Sequence, residues 1–273
     1  MKILSRPNYL PIEINLSKDI VTLAKLEQKD FEKSIFILKK GEGKGFLQYQ
    51  DIFSTDLSIF LNENKAQTKD PFFIFHHGFC CSTLLSRMLE ARFQTLSLRE
   101  PPCINWATHF KKDALNWTAY NESIFQQLIN IHGRTFRSNQ RAIIKCSDYV
   151  SYELNSFIRS TTKAIFLYSD LSEFIGSCFK DMRHKWIAER ADYSKLLNFL
   201  GYKNKLDLDD TATQVTIYWC FQIAKFLECT YTENVRSINT TRIFFDRNLI
   251  KSVGDFFDLK EKYFFNKNRN LRS

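Results

Sequence analysis

One stretch constrains this chain more than any other. It is the run Phe72-Phe73-Ile74-Phe75, then the loop His76-His77-Gly78-Phe79-Cys80-Cys81-Ser82, then a segment over 83–93 with Leu84, Leu85, Met88 and Leu89 on one face. A short continuous apolar run is the pattern of a strand buried on both faces. Leucines at helical spacing make an amphipathic helix. A strand covered on both faces needs layers on each side of its sheet, so the chain must build an α/β core around it.

The alternation returns downstream. Apolar runs at 95–98, 142–145, 164–168 and 242–245 predict further strands, the first of them stopped by Pro101-Pro102. Helical patterns fill 104–131, 149–158, 172–179 and onward to about 200, 211–229 and 246–257. Strands alternating with helices predict a parallel, doubly wound sheet flanked by helices. Residues 1–68 read differently, with short apolar pieces between charged stretches, and are expected to form an N-terminal accessory region packed on a main domain over 69–273. Gly41-Glu42-Gly43-Lys44-Gly45 lacks the hydroxyl residue and the glycine spacing of a phosphate loop and is expected to be a hairpin turn.

Composition narrows the partners. The 273 residues suffice for one large α/β domain, and 26 phenylalanines, mostly inside apolar runs, read as core filling. The net charge of +9 suits an anionic ligand, or is a generic basic surface. The basic tail over 260–272 reads as solvated and lacks the aromatic-plus-basic signature of an RNA-binding module, so no nucleic-acid partner is expected. Seven scattered cysteines without paired CxxC spacing predict neither a zinc site nor a disulfide frame, which fits a reduced, cytoplasmic protein. No apolar run is long enough for a transmembrane helix, and 1–16 has no signal-like apolar core.

The loop is the candidate site. Backbone N–H groups at a helix start are unpaired, and the helix dipole adds partial positive charge, so an oxyanion fits there. Ser82 and Thr83 add hydroxyl donors, and small side chains at Cys80 and Cys81 let an anion approach the backbone. An ordinary strand-to-helix turn capped by Ser82 is the simpler alternative.

The stretch from Phe75 to Leu85 resembles the 5′-phosphosulfate loop of the sulfotransferase superfamily, in particular its bacterial branch, which is a P-loop fold. Against the usual Pro-Lys/Arg-Ser-Gly-Thr-Thr loop, Gly78 falls at the proline, Phe79 at the cation, Cys80 at the serine, Cys81 at the glycine and Ser82 at the first threonine. The resemblance implies 3′-phosphoadenylyl sulfate (PAPS) as co-substrate, with 3′-phosphoadenosine 5′-phosphate (PAP) as product, and no metal. It assigns Gly78 through Thr83 to the donor. Phenylalanine cannot act as a cation, so Arg87, Lys145 or a histidine of the His76-His77 pair would have to substitute. Leu98-Arg99-Glu100-Pro101 is similar to a segment whose glutamate is a general base, which nominates Glu100; a structural ion pair of Glu100 with Arg99, or a helix cap, is the alternative. Ile143-Ile144-Lys145-Cys146-Ser147 resembles a strand end whose lysine reaches donor or acceptor. The segment 166–177 resembles the 3′-phosphate segment, implying roles for Ser169 and Ser177. Ser169 stands at the family's arginine, so Lys180 or Arg183 would have to compensate. Residues 241–259 resemble the late part of the fold.

These residues leave several functions open. The leading one is sulfuryl transfer from PAPS to a hydroxyl or amine of a small-molecule, glycan or peptide acceptor, with Glu100 or His77 activating the acceptor and Lys145 close to the reacting groups. A diverged protein that binds a nucleotide or partner without catalysis is the second. A kinase lacks its phosphate-loop lysine here. A thiol enzyme would use Cys80 or Cys81 at the helix N-terminus.

Overall fold

The computed structural model describes residues 3–37, 49, 51–65, 69–180, 183–189, 191–229, 232–241, 246 and 248–262. The strand expected at 242–245, the turn at Gly41 to Gly45 and the tail beyond 262 lie outside them.

Five strands form one parallel sheet: β4 (Phe72–His76), β5 (Thr95–Arg99), β6 (Arg141–Lys145), β7 (Ala164–Tyr168) and β8 (Val235–Asn239). Their order is β5-β6-β4-β7-β8, and every pairing is parallel. From the central β4 the chain travels to the edge strand β5 and returns to β6. It then crosses to β7 on the other side of β4. The sheet is therefore doubly wound, and the crevice where its direction reverses lies at the C-terminal end of β4.

The alternating side chains of β4 split the core in two. Phe72 and Ile74 pack with Leu85 and Leu89 of α3 (Ser82–Arg92) and with Leu249, Val253 and Phe256 of α10 (Leu249–Phe256). Phe73 and Phe75 face the other way, onto α4 (Pro102–Asp113), α5 (Ala119–Ile131) and the kinked 3₁₀ segment Asp148–Ser156. Phe157 stands edge-on to both Phe73 and Phe75, with Phe125 edge-on to it in turn. Burying one such ring contributes roughly 2 to 3 kcal/mol. A third cluster joins α6 (Leu171–Phe179), α7 (Arg183–Ala188), α8 (Tyr193–Phe199) and the long α9 (Thr211–Leu227).

The N-terminal region is a three-stranded antiparallel sheet of β1 (Tyr9–Asn15), β2 (Ile20–Lys25) and β3 (Asp51–Asp56), with α1 (Gln28–Lys33) and α2 (Leu57–Asn64). It shares its cores with the large sheet. Leu10, Ile12 and Phe31 cluster with Leu96, Leu98 and Ala142, while Val21, Leu57 and Phe60 join the α4–α5 side. A buried guanidinium stitches the two parts together. Arg134 donates to the carbonyls of Leu4 (2.9 Å), Tyr9 (2.5 Å) and Ile131 (2.9 Å) and to Asn64 Oδ1 (2.9 Å).

The fifth described strand, Val235–Asn239, is a half-exposed edge without an apolar run and was not expected. The start of the basic tail is docked rather than solvated: Lys260 C=O accepts from Gln94 N–H, and Lys262 Nζ donates to Glu90 C=O at 2.6 Å.

Candidate functional site

The loop after β4 has an unusual backbone. Gly78, Phe79 and Cys81 all have positive φ, at 91°, 49° and 59°. Only glycine adopts the left-handed region without cost, so Phe79 and Cys81 store strain of about 1 kcal/mol or more each. At Gly78 a Cβ would meet Asp148 Oδ2 at 3.6 Å, ordinary contact, so glycine answers the backbone angle rather than a lack of space.

Both histidines at the strand end serve this backbone. His76 Nδ1 accepts from Gly78 N–H at 2.9 Å while Nε2–H donates to Cys146 C=O at 2.8 Å. His77 Nδ1–H donates to Gly78 C=O at 2.8 Å, and its Nε2 accepts from Ser169 N–H at 2.6 Å. His77 is wholly buried, and burial pulls its pKa down to about 4. The catalytic part expected for His77 does not fit this placement. Each ring nitrogen is committed to the backbone, and the ring ties the loop to the end of β7.

Ser82 does not cap α3, as the simpler alternative required. It is the first helical residue; Cys81 holds the N-cap position, and no side chain caps the helix. The uncapped end opens on a cleft of about 790 Å³ at the C-terminal edge of the sheet. Gly78 through Thr83, Glu100 and Lys145 all line it. His77, Ser169 and Ser177 do not. Ser169 is 5% exposed, its N–H bonded to His77 and its C=O to Trp219 Nε1.

Glu100 and Lys145 meet because β5 and β6 pair with Arg99 opposite Lys145. Glu100 then turns through a left-handed φ of 55°. Its N–H donates to Lys145 C=O at 2.7 Å, and its carboxylate forms an ion pair with Lys145 Nζ. The expected alternative, Glu100 with Arg99, is not what forms: Arg99 pairs with Glu90 at 2.9 Å, inside the core.

The cations named to replace the missing loop cation separate. Lys145 lines the cleft; Arg87 is exposed and does not. Arg183, named instead to compensate at Ser169, lies over the Phe79 ring, 4.9 Å from its centre. The thiols move away from reactivity. Burial pushes Cys80 up to about 12, and its Sγ–H donates to Leu167 C=O; burial also raises Cys81. A raised pKa works against the thiolate that a thiol enzyme needs.

The other walls come from segments far from the loop in the chain. His109 of α4 stacks on Tyr149 with ring centres 3.5 Å apart. Lys112 lies over the rings of Tyr149 and Tyr152 at 4.9 and 4.1 Å. Trp186 of α7 stands 6.1 Å from Phe79, and Phe36 arrives from the N-terminal region.

No family model matches the sequence, and no curated protein matches it. Among solved structures the chain is similar to a sulfotransferase domain from the curacin biosynthetic pathway, at 12% identity and a TM-score of 0.44, over 72% of this chain and 76% of that one. It is also similar to a sulfotransferase from Alicyclobacillus acidocaldarius, at 12% identity and a TM-score of 0.44, over 76% of this chain and 87% of that one. The α/β class itself stands on the strand order: a five-stranded parallel sheet between helical layers.

Proposed function

We propose that the cleft belongs to a sulfuryl-transfer enzyme that takes PAPS and passes its sulfuryl group to a hydroxyl or amine of a small-molecule, glycan or peptide acceptor. One observation carries the reading. The uncapped helix start at Ser82 and Thr83 opens, beside Glu100 and Lys145, into a single cleft at the reversal point of the sheet.

Bound there, the donor supplies an activated sulfuryl group. The chain's own part is binding and proton handling. Ser82, Thr83 and the N–H groups of the first turn of α3 hold the anionic centre. Glu100 takes the acceptor's proton. Lys145 balances that carboxylate and adds fixed positive charge where negative charge develops. Tyr149, Trp186 and Phe36 form apolar walls for the acceptor. The residues present fit the anionic centre of the donor. They do not fit its 3′-phosphate at Ser169 and Ser177, which lie off the cleft.

A second reading, ligand binding without transfer, has its own support. Among the described residues, four carboxylates line the cleft (Glu100, Asp113, Asp148, Glu189) against two ammonium groups (Lys112, Lys145). Calorimetric titration with PAP, ATP and adenosine 5′-phosphosulfate separates the cases. Micromolar PAP binding lost in the Ser82→Ala/Thr83→Ala double variant, together with sulfuryl transfer from PAPS, supports the enzyme. The same binding without transfer to any acceptor supports the second reading. Absence of binding by all three nucleotides overturns the donor site.

A further inference from the structure

Among the described residues, the N-terminal region reaches the cleft through one side chain. Phe36 lines it, and the Lys145 ammonium lies 5.3 Å from the centre of the Phe36 ring. The Lys145 side chain is only 2% exposed. An ammonium so far removed from water needs partners. Here it has a carboxylate, Glu100, and a π face, Phe36.

The segment carrying Phe36 is itself fixed to the end of β5. Ile37 N–H donates to Arg99 C=O at 2.9 Å. Tyr49 Oη–H donates to Ile37 C=O at 2.7 Å. The buried Arg99 guanidinium in turn donates to Phe31 C=O. Arg99 immediately precedes Glu100, whose left-handed backbone is secured on its other side by the bond to Lys145 C=O. The N-terminal segment therefore clamps the peptide next to Glu100 and presents a ring to the cation that pairs with it.

We propose that Phe36 is a positioning residue: its ring, held by the Ile37–Arg99 bond, keeps the Lys145 ammonium against Glu100 at the wall of the cleft. The N-terminal region is then part of the site rather than a cover for one sheet edge. This rests on the reading of Glu100 and Lys145 as the working pair of the cleft.

The test uses the full chain and an amine-acylating reagent, with labelling of each lysine followed by mass spectrometry. Phe36→Leu removes the π face, and Phe36→Met does so with an unbranched side chain that adapts to the gap. Phe36→Tyr retains the face. The expected result is that Lys145 labels about tenfold faster in Phe36→Leu and Phe36→Met, and within about twofold of the parent in Phe36→Tyr. Labelling of the buried Cys103 thiol by a maleimide should stay unchanged, which separates a local effect from unfolding. If Phe36→Leu exposes Cys103, Phe36→Met decides. Equal Lys145 labelling in the parent and Phe36→Met would overturn the proposal, as would equally fast labelling in Phe36→Tyr. The readout needs neither donor nor acceptor, so its failure and the failure of PAP to bind are separate results.

Discussion

Mild acid should loosen this protein through His77. The ring is buried beneath the loop, and its Nε2 is an acceptor for Ser169 N–H. A proton on Nε2 would break that bond and leave a charge in the core. An ordinary histidine in the unfolded chain titrates at 6.5, whereas burial lowers the folded value to about 4. Between those values the unfolded chain binds more protons than the fold, so stability present above pH 6.5 is lost as the pH falls toward 4. At about pH 5 the loss from one such ring is about 2 kcal/mol. His132 is wholly buried and is lowered to about 4 for the same reason, and it adds a similar loss. The assay is urea denaturation at about pH 7.5 and about pH 5 for the parent and for His77→Gln, whose amide takes no proton. The parent should lose more stability than His77→Gln across that interval, by about 2 kcal/mol. An identical loss in both proteins would refute the assignment of His77 as a neutral buttress of the loop.

Three further substitutions probe the packing of the fold. Arg134→Met leaves three carbonyls and Asn64 Oδ1 without their donor, while relieving the burial of a cation whose pKa burial lowers to about 9. The net cost should be about 2 to 3 kcal/mol by urea denaturation, with protease cleavage appearing first in residues 3–37; an unchanged midpoint would contradict the stitching role. A Cβ at Gly254 would sit 2.1 Å from Cζ of the buried Phe93, so Gly254→Ala should cost about 1 to 3 kcal/mol. Gly176→Ala meets nothing within 4 Å and should gain about 0.5 to 1 kcal/mol from helix propensity, so the two thermal midpoints should shift in opposite directions.

Four of the five parallel strands were legible because each is a short apolar run buried on most sides, as in the fully buried β4. β8 was not, because Val-Arg-Ser-Ile-Asn is a half-exposed edge that carries no such run. The loop was legible from its small residues between a buried strand and a leucine-patterned helix. The pairing of Glu100 with Lys145 was not, because it is set by the register of β5 on β6 across 45 residues of chain. The histidine pair shows another limit. His76 and His77 look equivalent in sequence, yet only His76 lines the cleft while His77 turns into the protein. Ser169 shows the same limit: the resemblance of 166–177 to a 3′-phosphate segment implies a ligand contact there, and the fold spends its backbone on His77 and Trp219 instead.

Cys81 offers the most direct test of the central claim that an anionic donor sits at the start of α3. It is exposed, it lines the cleft, and it occupies the N-cap position where the donor's anionic end would bind. The measurement is the rate of Cys81 alkylation by iodoacetamide, read by mass spectrometry with and without PAP, with the buried cysteines as internal reference. The account predicts that PAP slows alkylation of Cys81 in a saturable way and that the Ser82→Ala/Thr83→Ala variant loses the protection. An alkylation rate that PAP leaves unchanged at every concentration would contradict it.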